Sequence, residues 1–306
     1  MNETHKTSIV MVTYHTGDIL WQAINAALNQ VGLGNLIIIN NDNPVEVNQK
    51  LNDLAAENKK IHLININKNI GFAKACNIGA EFALQQDPEQ YLLFLNPDCV
   101  INENIFTNVI THLEKNADYY MASINIKNSD NSPNTGCYRN LLTAMTALSE
   151  IFKLYKISPK FFPRLNISPP IIDYPIADNN LAIDNNAKAK ADNKITEVKA
   201  ISGAFMFIKA KLFQEIGMFD EKFFLHVEDL DLCKKISCHK KKIIFINSTQ
   251  AIHHKSSSNS SKIFIEWQKT KGFIYYFYKY YRYNILIFAL IIPCIIMRFI
   301  IKSLFK

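Results

Sequence analysis

Short apolar runs alternate with amphipathic stretches through the first third of the chain. Ser8 to Thr13 reads as a strand, and Leu20, Ile24, Ala27 and Leu28 recur behind it at helical spacing. Leu36 to Ile39 is the next strand, a polar helix runs through Leu51 and Leu54, and Ile61 to Ile64 gives a third strand. Phe72 to Gln85 is helical, and Tyr91 to Leu95 is a fourth strand that stops at Asn96-Pro97-Asp98. Ile105, Phe106, Val109, Ile110 and Leu113 then mark another helix face. Strands alternating with helices predict a parallel α/β sheet of nucleotide-binding type.

The pattern weakens from about 138 to 198, where Asn, Lys and Ala replace large apolar residues; this stretch reads as a variable, partly flexible insertion. Order returns at VKAISGAFMFIK, a buried strand leading into a helix over 210–216. Leu230, Leu232, Cys233 and Ile236 predict a helix from about Val227, and Ile243 to Ile246 a late strand. The expected division is a catalytic domain over 1–262 and a helical tail over 263–306.

Composition narrows the class only a little. The 306 residues are 48% hydrophobic and 20% charged, and the net charge of +7 suits nucleic acid, a membrane surface or a phosphorylated ligand. The six cysteines are scattered without a C-x-x-C pair, which argues against a zinc knuckle or a disulfide framework and for reduced thiols in a cytoplasm. The first residues hold too short an apolar run for a signal peptide.

Candidate chemistry gathers at strand ends. In open parallel sheets ligands bind outside the carboxyl ends of the strands, which brings Thr13 and Tyr14, Asn40 to Asp42, Asn69 to Asn77 and Asn96 to Asp98 into one region. Asp98 is a candidate anchor for a divalent cation and a diphosphate, although Asn-Pro-Asp is also an ordinary turn. The segment FFLHVEDLDLC, 223–233, sets Glu228, Asp229 and Asp231 behind large apolar residues. Acidic residues suit the first turn of a helix, but a capping role alone needs fewer of them and needs them in solvent.

SIVMVTYHTGDIL, NIGFAKACNIG, YLLFLNPDCVI, ISGAFMFIK, IGMFDEKFFLHVEDLDLCKK and AIHHKSSS, in that order over about 8–260, resemble the successive motifs of bacterial family 2 glycosyltransferases, particularly the rhamnosyltransferase-like branch. The resemblance implies a GT-A fold and inverting transfer of a sugar, with rhamnose as a candidate, from a nucleotide diphosphate donor to a lipid-linked or cell-surface polysaccharide acceptor. It implies that Asp229 is the catalytic base and that Glu228 orients the acceptor. Asp98 and His254, with His253 as the rival histidine, would bind manganese or magnesium. Thr13, Tyr14, Asn40, Asp42, Lys74 and Asn96 fall at nucleotide-contact positions. Asn40 stands where the family commonly has Asp, which leaves open a non-catalytic binding or assembly protein of the same fold.

The tail carries KGFIYYFYKYYRYN and then an uninterrupted apolar run from Ile285 to Met297. That run is about 20 Å long as a helix, short against a bilayer core of roughly 30 Å. With Lys279, Arg282, Arg298 and Lys302 around it, it predicts a peripheral or monotopic protein at the cytoplasmic face of the inner membrane. Positive charge gathered near the tail rather than along a recognition helix argues against nucleic acid. A chain cut at Lys271 is expected to keep the whole catalytic part.

Overall fold

The computed structural model describes residues 6–101, 104–167, 195–254 and 261–304. The first half runs β1 (Thr7–Thr13), α1 (Ile19–Leu28), β2 (Leu33–Asn41), α2 (Val45–Glu57), β3 (Ile61–Ile66), α3 (Phe72–Gln86) and β4 (Tyr91–Leu95). These four strands are parallel in the order β3-β2-β1-β4. All seven residues of β1 are buried, as a strand covered on both faces requires. Ile9 and Met11 enter one core with Leu36, Ile38 and Leu93, whereas Val10 and Val12 enter the other with Ile37, Ile39 and Phe94.

Beyond β4 the sheet becomes mixed. β5 (Cys99–Val100), α4 (Phe106–Leu113) and β6 (Tyr119–Asn128) are followed by β7 (Tyr138–Arg139), α5 (Ala144–Phe152) and β8 (Asn166–Ile167). After residue 194 come β9 (Ile195–Val198), β10 (Ala200–Ile201), β11 (Phe205–Lys209), α6 (Ala210–Glu215), α7 (Glu228–Cys238) and β12 (Lys242–His253). β11 lies antiparallel between β4 and β6, and β12 runs beside β6 and pairs with β5 and β9 on its other side. A small second sheet joins β10, β7 and β8.

The stretch read as an insertion is thus partly built into the fold. Thr143 caps α5 by accepting from the Thr146 backbone N–H, while the Thr146 hydroxyl accepts from the backbone N–H of Thr143. Residues 168–194 lie outside the described residues.

The tail departs further from expectation. It forms α8 (Lys262–Tyr281) and α9 (Ile285–Leu304), and Tyr276 and Phe277 of α8 are fully buried in the core that holds Val10 and Phe94. The boundary drawn at 262 therefore falls at the start of a packed core helix. Asp231, in the first turn of α7, is fully buried and accepts from Lys279 Nζ at 2.7 Å and Tyr280 Oη at 2.8 Å. Lys279 also pairs with Asp220 at 2.7 Å, so it is not free for lipid headgroups. Arg298 is likewise held by Glu266 at 2.9 Å.

α9 continues through Arg298 to Leu304, and its 20 residues are, by length and composition, enough to cross a membrane. Ile291 and Ile295 are buried, while Ile285, Leu286, Leu290, Ile300 and Leu304 are exposed.

Removing one partner of a buried ion pair typically costs about 3–5 kcal/mol. Asp231→Ala is expected to lower the unfolding free energy in urea by that order. A chain ending at Lys271 loses Tyr276, Phe277 and the Asp231 partners together and should show no cooperative transition, whereas one ending at Asn284 should keep it. A cooperative transition from the shorter chain would show that α8 is dispensable.

Candidate functional site

The carboxyl ends of the parallel strands open onto a pocket of about 1080 Å³, where the strand order changes direction between β1 and β4. Tyr14, Asn41, Asn69, Asn96 and Asp98 come from those ends, and Arg139, His226, Glu228 and Asp229 from the second half of the fold.

A strained turn delivers the acidic pair. His226 and Val227 both adopt left-handed backbone, with φ of 67° and 75°. Such conformations cost on the order of 1–3 kcal/mol for non-glycine residues. Two glycines hold the turn from either side. Gly71, with φ 88°, lets the chain approach so closely that a Cβ there would meet the Phe224 carbonyl oxygen at 2.6 Å. The Phe72 N–H donates to that same oxygen at 2.8 Å. On the α8 side, a Cβ at Gly272 would lie 3.0 Å from the His226 carbonyl oxygen.

The two carboxyls then meet different environments. Asp229 Oδ2 accepts from Arg139 Nη2 at 2.7 Å and from the Gly203 N–H at 2.9 Å, and Oδ1 accepts from the Leu230 N–H at 2.8 Å. Burial alone would raise this carboxyl, but the guanidinium and the N–H donors outweigh it and hold Asp229 below its ordinary value. Glu228 Oε2 is buried with no hydrogen-bond partner among the described residues. Burial, then the neighbouring Asp229 charge, push its carboxyl well above the usual range. His226 is pushed down to about 4 by burial and by Lys269 and is neutral at pH 7. The site therefore holds an ionised Asp229 beside a protonated Glu228.

On the β4 side, His253 Nε2 donates to Asp98 Oδ1 at 3.0 Å. Pairing of β12 with β5 sets His253 opposite Cys99 and so beside Asp98. Of the two candidate histidines it is His253 whose ring faces Asp98 and lines the pocket. His254 approaches through its backbone, its N–H donating to the Asp98 carbonyl oxygen at 2.9 Å. Two ligands in cis positions at about 2.1 Å from a divalent ion are themselves about 3.0 Å apart, so Asp98 and His253 have the spacing to share one. Among the described residues no group of three or more His, Cys, Asp or Glu is placed to hold a metal ion.

Several sequence candidates sit elsewhere. Thr13, Asn40, Asp42, Lys74 and His254 are not among the described residues lining the pocket. Thr13 Oγ1 bonds Thr16 Oγ1 at 3.1 Å. Asn40 Nδ2 donates to Asn48 and Asn65, and its Oδ1 accepts from Asn43. Asp42 is exposed, and Lys74 pairs with Glu221 at 3.5 Å. Strand alternation explains the first exchange, since Asn41, one residue on from Asn40, faces the pocket instead and donates to Asn69 at 3.0 Å.

Arg139 is the functional candidate that sequence reasoning passed over, because it lies in the stretch read as an insertion. A signal exists. Only four of the 34 cationic side chains are arginine. In a lysine-rich chain, arginine marks places that need its planar fork, and both Arg139 and Arg298 line this pocket.

The chain is 24% identical over 194 residues to rhamnosyltransferase WbbL of Escherichia coli K12, which covers 62% of this chain and 63% of that protein. The match thus spans just under two thirds of the relative's length. It is 29% identical over 58 residues, 19% of each chain, to N-acetylglucosaminyl-diphospho-decaprenol L-rhamnosyltransferase of Mycobacterium tuberculosis. The crystal structure of GalNAc-T7 with UDP, GalNAc and Mn2+ superposes with a TM-score of 0.61 at 15% identity, covering 90% of this chain and 48% of that one, and shows the GT-A fold. The family model for glycosyl transferase family 2 matches residues 8–175, more than half of the sequence, and the chain belongs to that family.

Proposed function

We propose that the protein transfers a sugar, with inversion, from a nucleoside-diphosphate sugar to a hydroxyl of a lipid-linked or polysaccharide acceptor. The observation that carries this reading is the union, in one pocket at the strand-order switch, of an ionised Asp229 with the Asp98–His253 pair. Rhamnose is the candidate sugar because the Escherichia coli and Mycobacterium tuberculosis proteins named above are rhamnosyltransferases, and the mycobacterial one is named for a diphospho-decaprenol acceptor. Asn40, whose departure from the family pattern raises a non-catalytic protein as the alternative, has its amide bonded within an asparagine network, whereas Asp229, Asp98 and His253 meet in the pocket and support turnover.

Asp229 takes the proton of the acceptor hydroxyl as its oxygen forms a bond to the anomeric carbon. The bond from that carbon to the diphosphate breaks, and the nucleoside diphosphate leaves with the electron pair. Arg139 and the Gly203 N–H keep Asp229 ionised and aimed. Protonated Glu228 donates to a sugar hydroxyl, which would satisfy its unpartnered position. Asp98 and His253 would hold manganese or magnesium, and that cation, when bound, neutralises charge on the leaving diphosphate.

A positioned carboxylate base contributes typically about 10² to 10⁴ in rate. Asp229→Asn should therefore lower kcat at least about a hundredfold, with nucleoside diphosphate binding within about twofold of wild type. Glu228 is neutral below its raised pKa and charged above it, so activity should fall on the alkaline side as the donor proton is lost. Glu228→Gln, a permanent donor, should keep most activity and lose that alkaline limb. Retention of the limb would remove Glu228 from this role. Release of nucleoside diphosphate from a panel of nucleotide sugars reads both variants and identifies the donor.

For the cation, Mn2+ titrated calorimetrically into protein with nucleoside diphosphate should bind, and His253→Ala should weaken it far more than His254→Ala. Equal effects would remove His253 as the cation's ligand, and full turnover in excess chelator would mean that side chains alone neutralise the diphosphate.

The exposed apolar face of α9 supports attachment to the cytoplasmic face of a membrane, mainly by burial of Ile and Leu side chains because Lys279 and Arg298 are already paired. The full chain should sediment with membranes in high salt, and the chain ending at Asn284 should not. Equal sedimentation of the two would exclude α9 as the anchor.

A further inference from the structure

The pocket does not end at the acidic pair. It continues between α5, α8 and α9, where Lys269, Arg298 and Lys302 line it together with Ile151, Ile295 and Ile301. This end carries more positive charge than the protein neutralises. Arg139 answers to Asp229, and Arg298 uses Nη2 on Glu266. Arg298 Nη1 is buried with no hydrogen-bond partner among the described residues. Lys269, half-buried on α8, likewise makes no ion pair or hydrogen bond among them. Lys302 adds a further charge at the exposed rim, with Ile295, Arg298 and Lys302 at the spacing of one helix face. Burial, then the nearby Arg298, lower the Lys269 ammonium against the opposing charges of Glu266 and Asp229. A desolvated cluster of this kind lacks an anion with several acceptor oxygens.

Apolar residues border the cluster, and they lead to the exposed Ile and Leu face of α9. Sugar chemistry at Asp229, then cations, then an apolar wall on a membrane-competent helix form one continuous order. Resting on the glycosyl-transfer reading above, we infer that Lys269, Arg298 and Lys302 form a subsite for the diphosphate of a polyprenyl-diphosphate-linked acceptor, whose hydrocarbon chain leaves along Ile295, Ile301 and the outer face of α9. The subsite would present the acceptor sugar to Asp229 while the lipid stays with the membrane. A diphosphate could also come from the donor, and the two sources are separable.

The test is calorimetry on the full chain in detergent with farnesyl diphosphate, farnesol, and a nucleoside diphosphate with Mn2+, using wild type, Lys269→Gln and the rim variant Lys302→Ala. Melting temperatures check folding. Loss of a charge-assisted contact predicts that Lys269→Gln weakens farnesyl diphosphate about tenfold or more and Lys302→Ala severalfold. Farnesol and nucleoside diphosphate should stay within about twofold. Unchanged farnesyl diphosphate affinity in both variants overturns the subsite. So does an equal loss of nucleoside diphosphate, which assigns the cations to the donor. Wild type that binds nucleoside diphosphate but not farnesyl diphosphate sinks the subsite and leaves the transferase reading standing. Farnesyl diphosphate binding that depends on Lys269 and Lys302, without nucleoside diphosphate binding, supports the subsite and sinks the donor assignment.

Discussion

Three carboxylates within four residues cannot all keep their charge in a protein interior unless each is neutralised separately, because like charges at such spacing repel strongly once water is excluded. Glu228, Asp229 and Asp231 meet this constraint in three ways. Asp229 is paired with Arg139, Asp231 is paired with Lys279, and Glu228 keeps its proton. The arrangement explains why β7 and α8, remote in sequence, both pack around α7. Each supplies the cation that one carboxylate requires.

The same constraint ties reactivity to architecture. Asp231 belongs to the first turn of α7 yet faces away from the pocket toward α8, so the helix that carries the acidic pair is anchored by the helix that leads to α9. The left-handed turn at His226 and Val227 lies between Gly71 and Gly272, and neither glycine could carry a side chain without displacing it. Strain at α7 is thus balanced by the close approaches of Gly71 and Gly272, and charge by Arg139 of β7 and Lys279 of α8.

How much of this was legible in the sequence varies with the kind of interaction. Ser8 to Thr13 and Tyr91 to Leu95 declare themselves as strands because both faces are buried, which leaves uninterrupted apolar runs. Asp98, Asn96, Glu228 and Asp229 could be placed in one pocket because strand ends and a helix start are local features. Arg139 could not, since its role depends on a partner 90 residues away and its surroundings resemble a loop. Asn40 and Asn41 show the limit within a strand, where a shift of one residue exchanges pocket for scaffold. The tail misled for a related reason. The aromatic and basic residues of α8 look like a headgroup-facing surface, but Tyr276, Phe277 and Lys279 meet the core and Asp231 instead.

The His253–Asp98 contact spans 155 residues, Arg139–Asp229 spans 90 and Lys279–Asp231 spans 48. Chain segments this far apart meet only after large loops close, and such contacts are slow to form. The four parallel strands, by contrast, can assemble from the first hundred residues. During synthesis the strand ends that open the pocket are therefore made well before the partners that complete the site. Until α8 leaves the ribosome, Asp231 lacks its lysine and the acidic turn lacks one of its two supports. The order of synthesis thus leaves the last support of the acidic turn to the helix that leads into α9.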